Sequence, residues 1–234
     1  MKIFAIGDLH LSGEPAEKPM DIFDKAWREH WEKISDYWQM NVQPDDVVLI
    51  AGDTSWALSI ESALPDLNRI AALPGHKVLI RGNHDYWWST VGKLRKTFGD
   101  SLLFLQNNFY AFGLVAICGT RGWEFPVENN EYYTADDEKI FARELLRVEN
   151  SLQQAETAGY TDKILVLHYP PLLADGNIGA ITELCTRYRV RHCVYGHLHG
   201  GAHCLAYNGE YAGTNYQLVA ADFLDFKLLP ILKV

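Results

Sequence analysis

The sequence predicts an α/β fold: a two-sheet β-sandwich flanked by helices, with the layers in the order α/β/β/α. Short runs of strand-forming residues alternate with helical patterns along most of the chain. After Gly200 the pattern changes to short strands alone. No internal repeat, linker or low-complexity segment interrupts the 234 residues, so we predict a single domain over residues 1–234.

The predicted strands are short apolar runs bounded by turn residues. They cover residues 2–6, 47–50, 77–80, 102–105, 114–118, 163–167 and 192–195. In the strand-rich last part, Asn208-Gly209 predicts a tight hairpin, because both residues tolerate the positive φ that two-residue hairpin turns require.

Five helices are predicted from apolar residues spaced three or four apart and from signals at the helix ends. They cover residues 21–39, 58–73, 89–98, 135–158 and 178–188. The first has an apolar stripe that we assign to core packing and not to a site: Phe23, Trp27, Trp31, Ile34 and Trp38. Pro65 should begin or break the second helix. In the fourth, Thr134 and Asp137 fit a capping box and Gly159 fits the end.

The composition indicates a globular chain with a substantial core, since 48% of residues are hydrophobic and 22% are charged. The net charge of −9 argues against an extended nucleic-acid surface or an anionic membrane surface, because both are bound through Lys and Arg. The apolar run at residues 3–6 is too short for a signal peptide, and no run approaches the roughly 18 residues of a membrane span. We therefore expect a cytoplasmic protein with reduced cysteines in its core: Cys118, Cys185, Cys193 and Cys204.

Five predicted strands end in blocks of polar residues. The blocks contain Asp8 and His10, then Asp53, then Asn83-His84-Asp85, then His168, and last His197 and His199. In four of them a glycine stands immediately before the first polar residue, which allows a tight turn and close approach to a ligand. Carboxyl ends of strands in α/β sheets form ligand crevices. Each D-x-H or H-x-H pair would face one centre if the backbone there were extended.

Carboxylates, imidazoles and an amide oxygen are ligands of hard to borderline divalent metals. Seven such groups are too many for one ion but fit two ions if one group bridges them. The motifs D-x-H, G-D, G-N-H-D, H and G-H-x-H, in this order and each after a strand, resemble the calcineurin-like metallophosphoesterase superfamily. The resemblance spans residues 8–199.

The resemblance implies two divalent metal ions, Mn, Fe or Zn, with Asp53 bridging them. One ion would be held by Asp8, His10 and His199, and the other by Asn83, His168 and His197. It further implies a phosphoester hydrolase in which a metal-bridging hydroxide attacks phosphorus in line. The substrate expected is a small phosphodiester or phosphomonoester, and the sequence does not indicate the oligomeric state.

By the family's pattern His84 assists the leaving group, and Asp85 holds its ring in the working tautomer. The alternative is that both residues only cap the next turn. Candidate substrate contacts are Arg121, Trp87 and Trp123, for which a surface salt bridge and simple burial are the alternatives. The acidic stretch 128–138 is predicted to be a solvated loop leading into a helix, or to overhang the site.

Two other functions remain open at the level of sequence. Protein serine/threonine phosphatases of the superfamily carry an Asp-Arg shortly after the second block, and Gly52-Asp53-Thr54-Ser55-Trp56 contains no match. A nuclease is disfavoured by the acidic charge and the absence of a basic stripe. A binding or scaffold protein on the same fold is disfavoured because such a protein should lack ligands or His84, and all are present.

Overall fold

The structure, a computed structural model, describes residues 1–127 and 131–234. The helices are α1 (His30–Asn41), α2 (Ile60–Ala72), α3 (Val91–Phe98), α4 (Ala135–Thr157) and α5 (Ile181–Arg187). The strands are β1 (Lys2–Ile6), β2 (Val47–Ile50), β3 (His76–Leu79), β4 (Leu103–Phe104), β5 (Phe109–Phe112), β6 (Val115–Gly119), β7 (Asp162–Val166), β8 (His192–Tyr195), β9 (Gly209–Tyr211), β10 (Thr214–Leu218) and β11 (Leu229–Lys233).

Two mixed sheets form the centre of the molecule. The first has the strand order β11-β1-β2-β3-β4, with β1 to β4 parallel and β11 antiparallel to β1. The second has the order β5-β6-β7-β8-β10-β9, in which β6, β7, β8 and β10 are parallel and the two edge strands are antiparallel to their neighbours. The carboxyl ends of the parallel strands therefore lie along one edge of each sheet.

The two sheets pack face to face through a buried aliphatic layer, with Ile3 and Leu49 contributed by the first sheet and Ile117 and Val166 by the second. The outer face of the first sheet packs against α1, α2 and α3, and that of the second against α4 and α5. Because the central strands are covered on both faces, they read as continuous apolar runs instead of alternating patterns. The predicted α/β sandwich flanked by helices is confirmed.

The first predicted helix, 21–39, is wrong at its start. The chain there forms two short 3-10 helices, Met20–Ile22 and Lys25–Trp27, and α1 begins only after Glu29, whose φ is 54°. Phe23, assigned to the core stripe, is 64% exposed. A helical spacing of apolar residues cannot distinguish one continuous helix from consecutive shorter turns.

The predicted hairpin turn is also displaced. The β9–β10 turn falls at Ala212-Gly213, with φ of 48° and 84°, while the side chain of Asn208 accepts a hydrogen bond from Leu218 N at 2.9 Å. Pro65 neither begins nor ends α2, which starts from the Ser59 capping box.

The cysteine prediction holds for three residues, since Cys118, Cys185 and Cys193 are buried free thiols, but Cys204 is exposed. Part of the predicted acidic loop, residues 128–130, lies outside the described residues. No helix among those described has the length and apolarity needed to cross a membrane.

Candidate metal centre

The seven predicted ligands lie together where the strand ends of both sheets meet. Asp8, Asp53 and Asn83 follow β1, β2 and β3 of the first sheet, whereas His168 and His197 follow β7 and β8 of the second. The chain after β1 is joined to the chain after β10, because Gly7 N donates to Val219 O at 2.7 Å and Ala221 N donates to Gly7 O at 3.1 Å. These bonds fix the two sheet edges against each other at the site.

One group of side chains surrounds His199. Its Nε2 lies 3.2 Å from Asp8 Oδ1 and 3.3 Å from His10 Nε2. The ligand atoms of these three residues all lie within 4.8 Å of one another, a spacing that one ion could span. This is the set that the resemblance assigns to the first ion.

A second group surrounds Asn83. Its Oδ1 lies 2.6 Å from His168 Nε2 and 3.1 Å from His197 Nδ1, and the two ring nitrogens are 3.3 Å apart. This is the set that the resemblance assigns to the second ion.

Asp53 lies between the two groups. Its Oδ2 is 3.8 Å from His10 Nε2 and 3.5 Å from His168 Nε2, so one carboxylate oxygen faces both. Asp8 also approaches the second group, with Oδ1 3.8 Å from His168 Nδ1. The arrangement could hold two cations with a carboxylate shared between them.

The donor set fits cations for a chemical reason. His168 Nδ1 lies 2.9 Å from the carbonyl of Ala51, so it carries the hydrogen, and the lone pair of Nε2 points at Asn83 Oδ1. Burial lowers the pKa values of His10 and His197 to about 3, which leaves both rings neutral at pH 7. Lone pairs of neutral rings facing other acceptors repel unless a cation lies between them.

The pKa values of Asp53 and His199 also indicate a site suited to cations. Burial and the charge of Asp8 raise the pKa of Asp53 to about 8, since two carboxylates without cations cannot both ionise easily. Burial opposes protonation of His199, but Asp8 and Asp222 outweigh it and raise its pKa to about 10. In the absence of cations, protons occupy the positions that positive metal charge would take.

The backbone at four predicted ligands is strained. Asp8, His10, Asp53 and His197 have positive φ values of 58°, 45°, 49° and 74°. Residues other than glycine adopt this region at a cost, and such strain concentrates at functional sites. The sequence-based expectation that each i, i+2 pair is extended is therefore wrong, although the side chains still converge.

Two of the glycines in the motifs make room for carboxylates. A Cβ at Gly82 would lie 2.0 Å from Asp53 Oδ1, and one at Gly196 would lie 2.3 Å from Asp8 Oδ2. Any side chain at either position would displace a predicted ligand.

The carboxylate of Asp85 makes no hydrogen bond to the ring of His84 in the described structure, contrary to the role predicted for it. Its fully buried carboxylate accepts hydrogen bonds from the backbone of Thr54, Ser55 and Gly82 and, at 2.9 Å, from Trp87 Nε1. Three donors reach Oδ1 and one reaches Oδ2, so Asp85 ties the loop after β2 to the loop after β3.

His84 lies beside the centre. Its backbone N–H donates to Asp53 Oδ1 at 2.8 Å, and its ring is 4.4 Å from that of Trp56 and 5.8 Å from that of His10. Its Nδ1 is buried and has no hydrogen-bond partner among the described residues. Desolvation is the largest cause of the lowered pKa of the ring. The ring is therefore neutral at pH 7.

The aromatic residues divide between core and site. Trp87 is 2% exposed and holds Asp85, which is inconsistent with its predicted contact with substrate. Trp123 is half-buried and its ring stacks over the guanidinium of Arg121 at 4.4 Å. Trp27, which the sequence placed only in the core, contacts the rings of His10 and His199 at 5.9 and 5.7 Å.

Asp222 is a site residue that the sequence analysis missed. Its Oδ1 accepts from His199 Nδ1 at 2.9 Å, which turns Nε2 of that ring toward the ligands. Its Oδ2 accepts from Gly200 N at 2.9 Å. A usable signal was present, because Asp222 follows β10 as the other polar blocks follow their strands, but no glycine precedes it.

The layered α/β/β/α fold and this paired set of candidate ligands place the chain among α/β sandwich proteins with a candidate metal centre at the strand ends. A family model described as calcineurin-like phosphoesterase matches residues 1–201. The chain belongs to this family. No sequence among curated proteins matches it.

Two solved structures share the fold at low sequence identity. TT1561 of Thermus thermophilus is 9% identical, with a TM-score of 0.53 over 98% of this chain and 97% of that one. The sulfate thiohydrolase SoxB of the same species, in complex with glycerol, is 13% identical, with a TM-score of 0.50 over 94% of this chain. This chain spans about half the length of SoxB, 51%. A protein of unknown function from Aquifex aeolicus, AQ665, is 15% identical, with a TM-score of 0.46, 98% of this chain and 95% of that one being covered.

Proposed function

We propose that the chain is a metal-dependent phosphoester hydrolase acting on a small phosphodiester or phosphomonoester. The observation that carries this proposal is the position of Asp53, whose Oδ2 faces both ligand groups. Two divalent cations, when bound, supply positive charge for a phosphate and lower the pKa of a water molecule. Mn, Fe and Zn are all compatible with imidazole and carboxylate ligands, and Asn83 adds a ligand without adding charge.

The side chains in this proposal have distinct tasks. Asp8, His10 and His199 hold one cation, Asn83, His168 and His197 hold the other, and Asp53 is shared. The second ring nitrogen of each of two histidines is hydrogen-bonded, which fixes the orientation of the ring: His168 bonds to the Ala51 carbonyl and His199 bonds to Asp222. Fixed ligands keep the geometry of the site the same from one turnover to the next.

His84 assists the leaving group. The neutral ring keeps one N–H, which can donate a hydrogen bond to the departing oxygen. Its backbone bond to Asp53 keeps the ring beside the shared carboxylate. Asp85 supports this geometry through the loops and not through the ring.

Arg121 is the candidate contact for the reacting phosphate. It is half-buried, its carbonyl accepts from His168 N at 2.9 Å, and Trp123 covers its guanidinium. A guanidinium next to the ligand loop would make charge-assisted hydrogen bonds to phosphate oxygens.

The test combines metal analysis with hydrolysis of bis(4-nitrophenyl) phosphate and 4-nitrophenyl phosphate, with and without Mn²⁺. We expect two metal ions per chain and activity that depends on them. His84→Ala should keep both ions while kcat falls by about 10²- to 10⁴-fold, the usual contribution of a side chain positioned to assist the leaving group.

His76→Ala is the matched control, because His76 is an exposed residue at the opposite end of β3. Loss of metal in His84→Ala would mean that His84 is a ligand. Inertness toward both esters with two ions bound would favour a scaffold instead of an enzyme.

A further inference from the structure

A cavity of about 250 Å³ lies beside the metal centre, between the two sheets and α4. Arg81 contributes from the chain after β3, Arg121 from the chain after β6, and Arg143 and Arg147 from α4. Four guanidinium groups on one small cavity are unexpected in a chain whose net charge is −9.

The positive charge of the cavity exceeds its negative charge. Glu144, the acidic residue in its lining, is fully buried and accepts from Arg147 Nη1 at 2.5 Å and from Thr120 Oγ1 at 2.7 Å. Within the described residues, Arg81, Arg121 and Arg143 form no ion pair. Arg81 Nε is buried without an acceptor there. Unpaired and partly desolvated guanidinium groups, such as those of Arg81 and Arg121, are stabilised by an anion that takes their free N–H groups.

The cavity adjoins the metal centre through two links. Arg81 directly precedes Gly82-Asn83, and the carbonyl of Arg121 accepts from His168 N. A molecule with one group at the metal ligands could therefore place a second group among the arginines.

A single phosphate does not account for this cavity. At the centre it would be balanced by two cations and by Arg121, which leaves the other arginines with Glu144 alone as a counter-charge. Planar guanidinium groups match phosphate oxygens in bidentate geometry, and several converging on 250 Å³ suit a compact, multiply charged group.

We propose that the arginine-lined cavity binds a second phosphate group of the substrate, so that the enzyme acts on small molecules carrying two phosphates. This inference rests on the proposed phosphoester hydrolase function.

Binding is tested first without turnover, in protein freed of metal by chelation and titrated with inorganic phosphate by calorimetry. We expect the wild-type chain to bind phosphate, and Arg81→Gln and Arg143→Gln each to weaken binding about tenfold or more, the effect of losing a charge-assisted hydrogen bond. Arg143 is exposed at the rim, so its replacement leaves the core intact. Arg187→Gln is the control, since it removes an equal charge from an exposed pair with Glu149.

The second test uses the metal-loaded enzyme and compares kcat/KM for a hexose bisphosphate with that for the hexose monophosphate. The wild-type enzyme should prefer the bisphosphate, and Arg143→Gln should reduce the preference about tenfold through KM, with Arg187→Gln unchanged.

The outcomes separate the two proposals. Equal use of both sugars, or phosphate binding that ignores Arg81 and Arg143, overturns the second-phosphate site while hydrolysis of the chromogenic esters sustains the hydrolase. Arginine-dependent phosphate binding without any ester hydrolysis removes the hydrolase, and with it the assignment of the cavity to a substrate.

Discussion

At the scale of single residues, the ring of His199 is held from both ends, by Asp8 at Nε2 and by Asp222 at Nδ1. Asp222→Ala should weaken metal affinity by about 10- to 100-fold, because the ring loses the partner that sets its tautomer and orientation. Titration of the metal-free protein with Mn²⁺ measures this.

Asp225→Ala is the control for that change. Asp225 lies on the same segment and is exposed, and its side chain bonds only to Lys227 among the described residues. Equal metal affinity in the two variants would show that Asp222 has no part in orienting the ligand.

The glycine before His197 provides a second prediction at this scale. Gly196→Ala places a Cβ where it would lie 2.3 Å from Asp8 Oδ2, so we expect loss of bound metal and a decrease in the free energy of unfolding of about 1–3 kcal/mol. Metal content and urea denaturation report the two effects. Gly201→Ala, where a Cβ meets no atom within 4 Å, should change neither. If Gly196→Ala binds metal normally, the crowding argument fails.

The sequence predicted which side chains converge, but it did not predict their backbone conformations. The order of the motifs and their position after strands indicated which side chains converge. The positive φ values of Asp8 and Asp53, and the four donors around Asp85, depend on how separate loops meet in space. No local pattern in the sequence encodes such contacts between distant segments.

At the scale of elements, α4 is the helix whose end signals were read correctly. Thr134 Oγ1 accepts from Asp137 N, and Asp137 Oδ2 accepts from Thr134 N, the predicted capping box. Thr134→Ala should lower the free energy of unfolding by about 1 kcal/mol, because one helix N–H loses its acceptor.

Urea denaturation measures that loss, and Thr134→Ser, which keeps the hydroxyl, should recover most of it. Comparable losses in both variants would assign the effect to the methyl group and not to the cap.

The predicted boundaries of the first helix were wrong because apolar spacing was the sole signal there. The stripe around Trp27 and Trp38 has helical spacing, yet the chain turns at Glu29 and starts α1 at His30. His30 lies near the carbonyls of Trp27 and Leu9, at 3.0 and 2.9 Å, and these contacts favour the break. Such tertiary contacts override local preference for a continuous helix.

At the scale of the whole molecule, metal binding and stability should be linked through pH. In the metal-free protein Asp53 and His199 have raised pKa values, about 8 and about 10, so the folded state holds more protons than the unfolded state between pH 6.5 and 8. Folded stability without metal should therefore fall as pH rises through this window. Metal displaces these protons, so the affinity for metal should increase as pH rises.

The expected result is that the difference in Tm between Mn²⁺-loaded and chelated protein widens from pH 6.5 to pH 8. Thermal unfolding at several pH values measures it. Below pH 6.5 the lowered pKa values of His10 and His197 make stability increase with pH, which is the opposite effect. The measurement is therefore made between pH 6.5 and 8. A constant difference would show that no proton is exchanged for metal.

The sandwich itself was predictable because its central strands are continuous apolar runs, as burial on both faces requires. The order of strands was not, since β10 inserts between β8 and β9 and β11 returns to pair with β1 across most of the chain. Pairing at such sequence separation is decided by tertiary packing.

The separation of the ligands along the chain has a consequence for biosynthesis. Asp8 and His199 stand near opposite ends of the sequence, yet their side chains contact each other. In the proposed two-metal centre, neither ion has a complete set of donors until β8 has left the ribosome and joined β7. Loading with metal is therefore a late event in maturation, and cations met earlier by the nascent chain can be held only by incomplete, exchangeable sets of side chains.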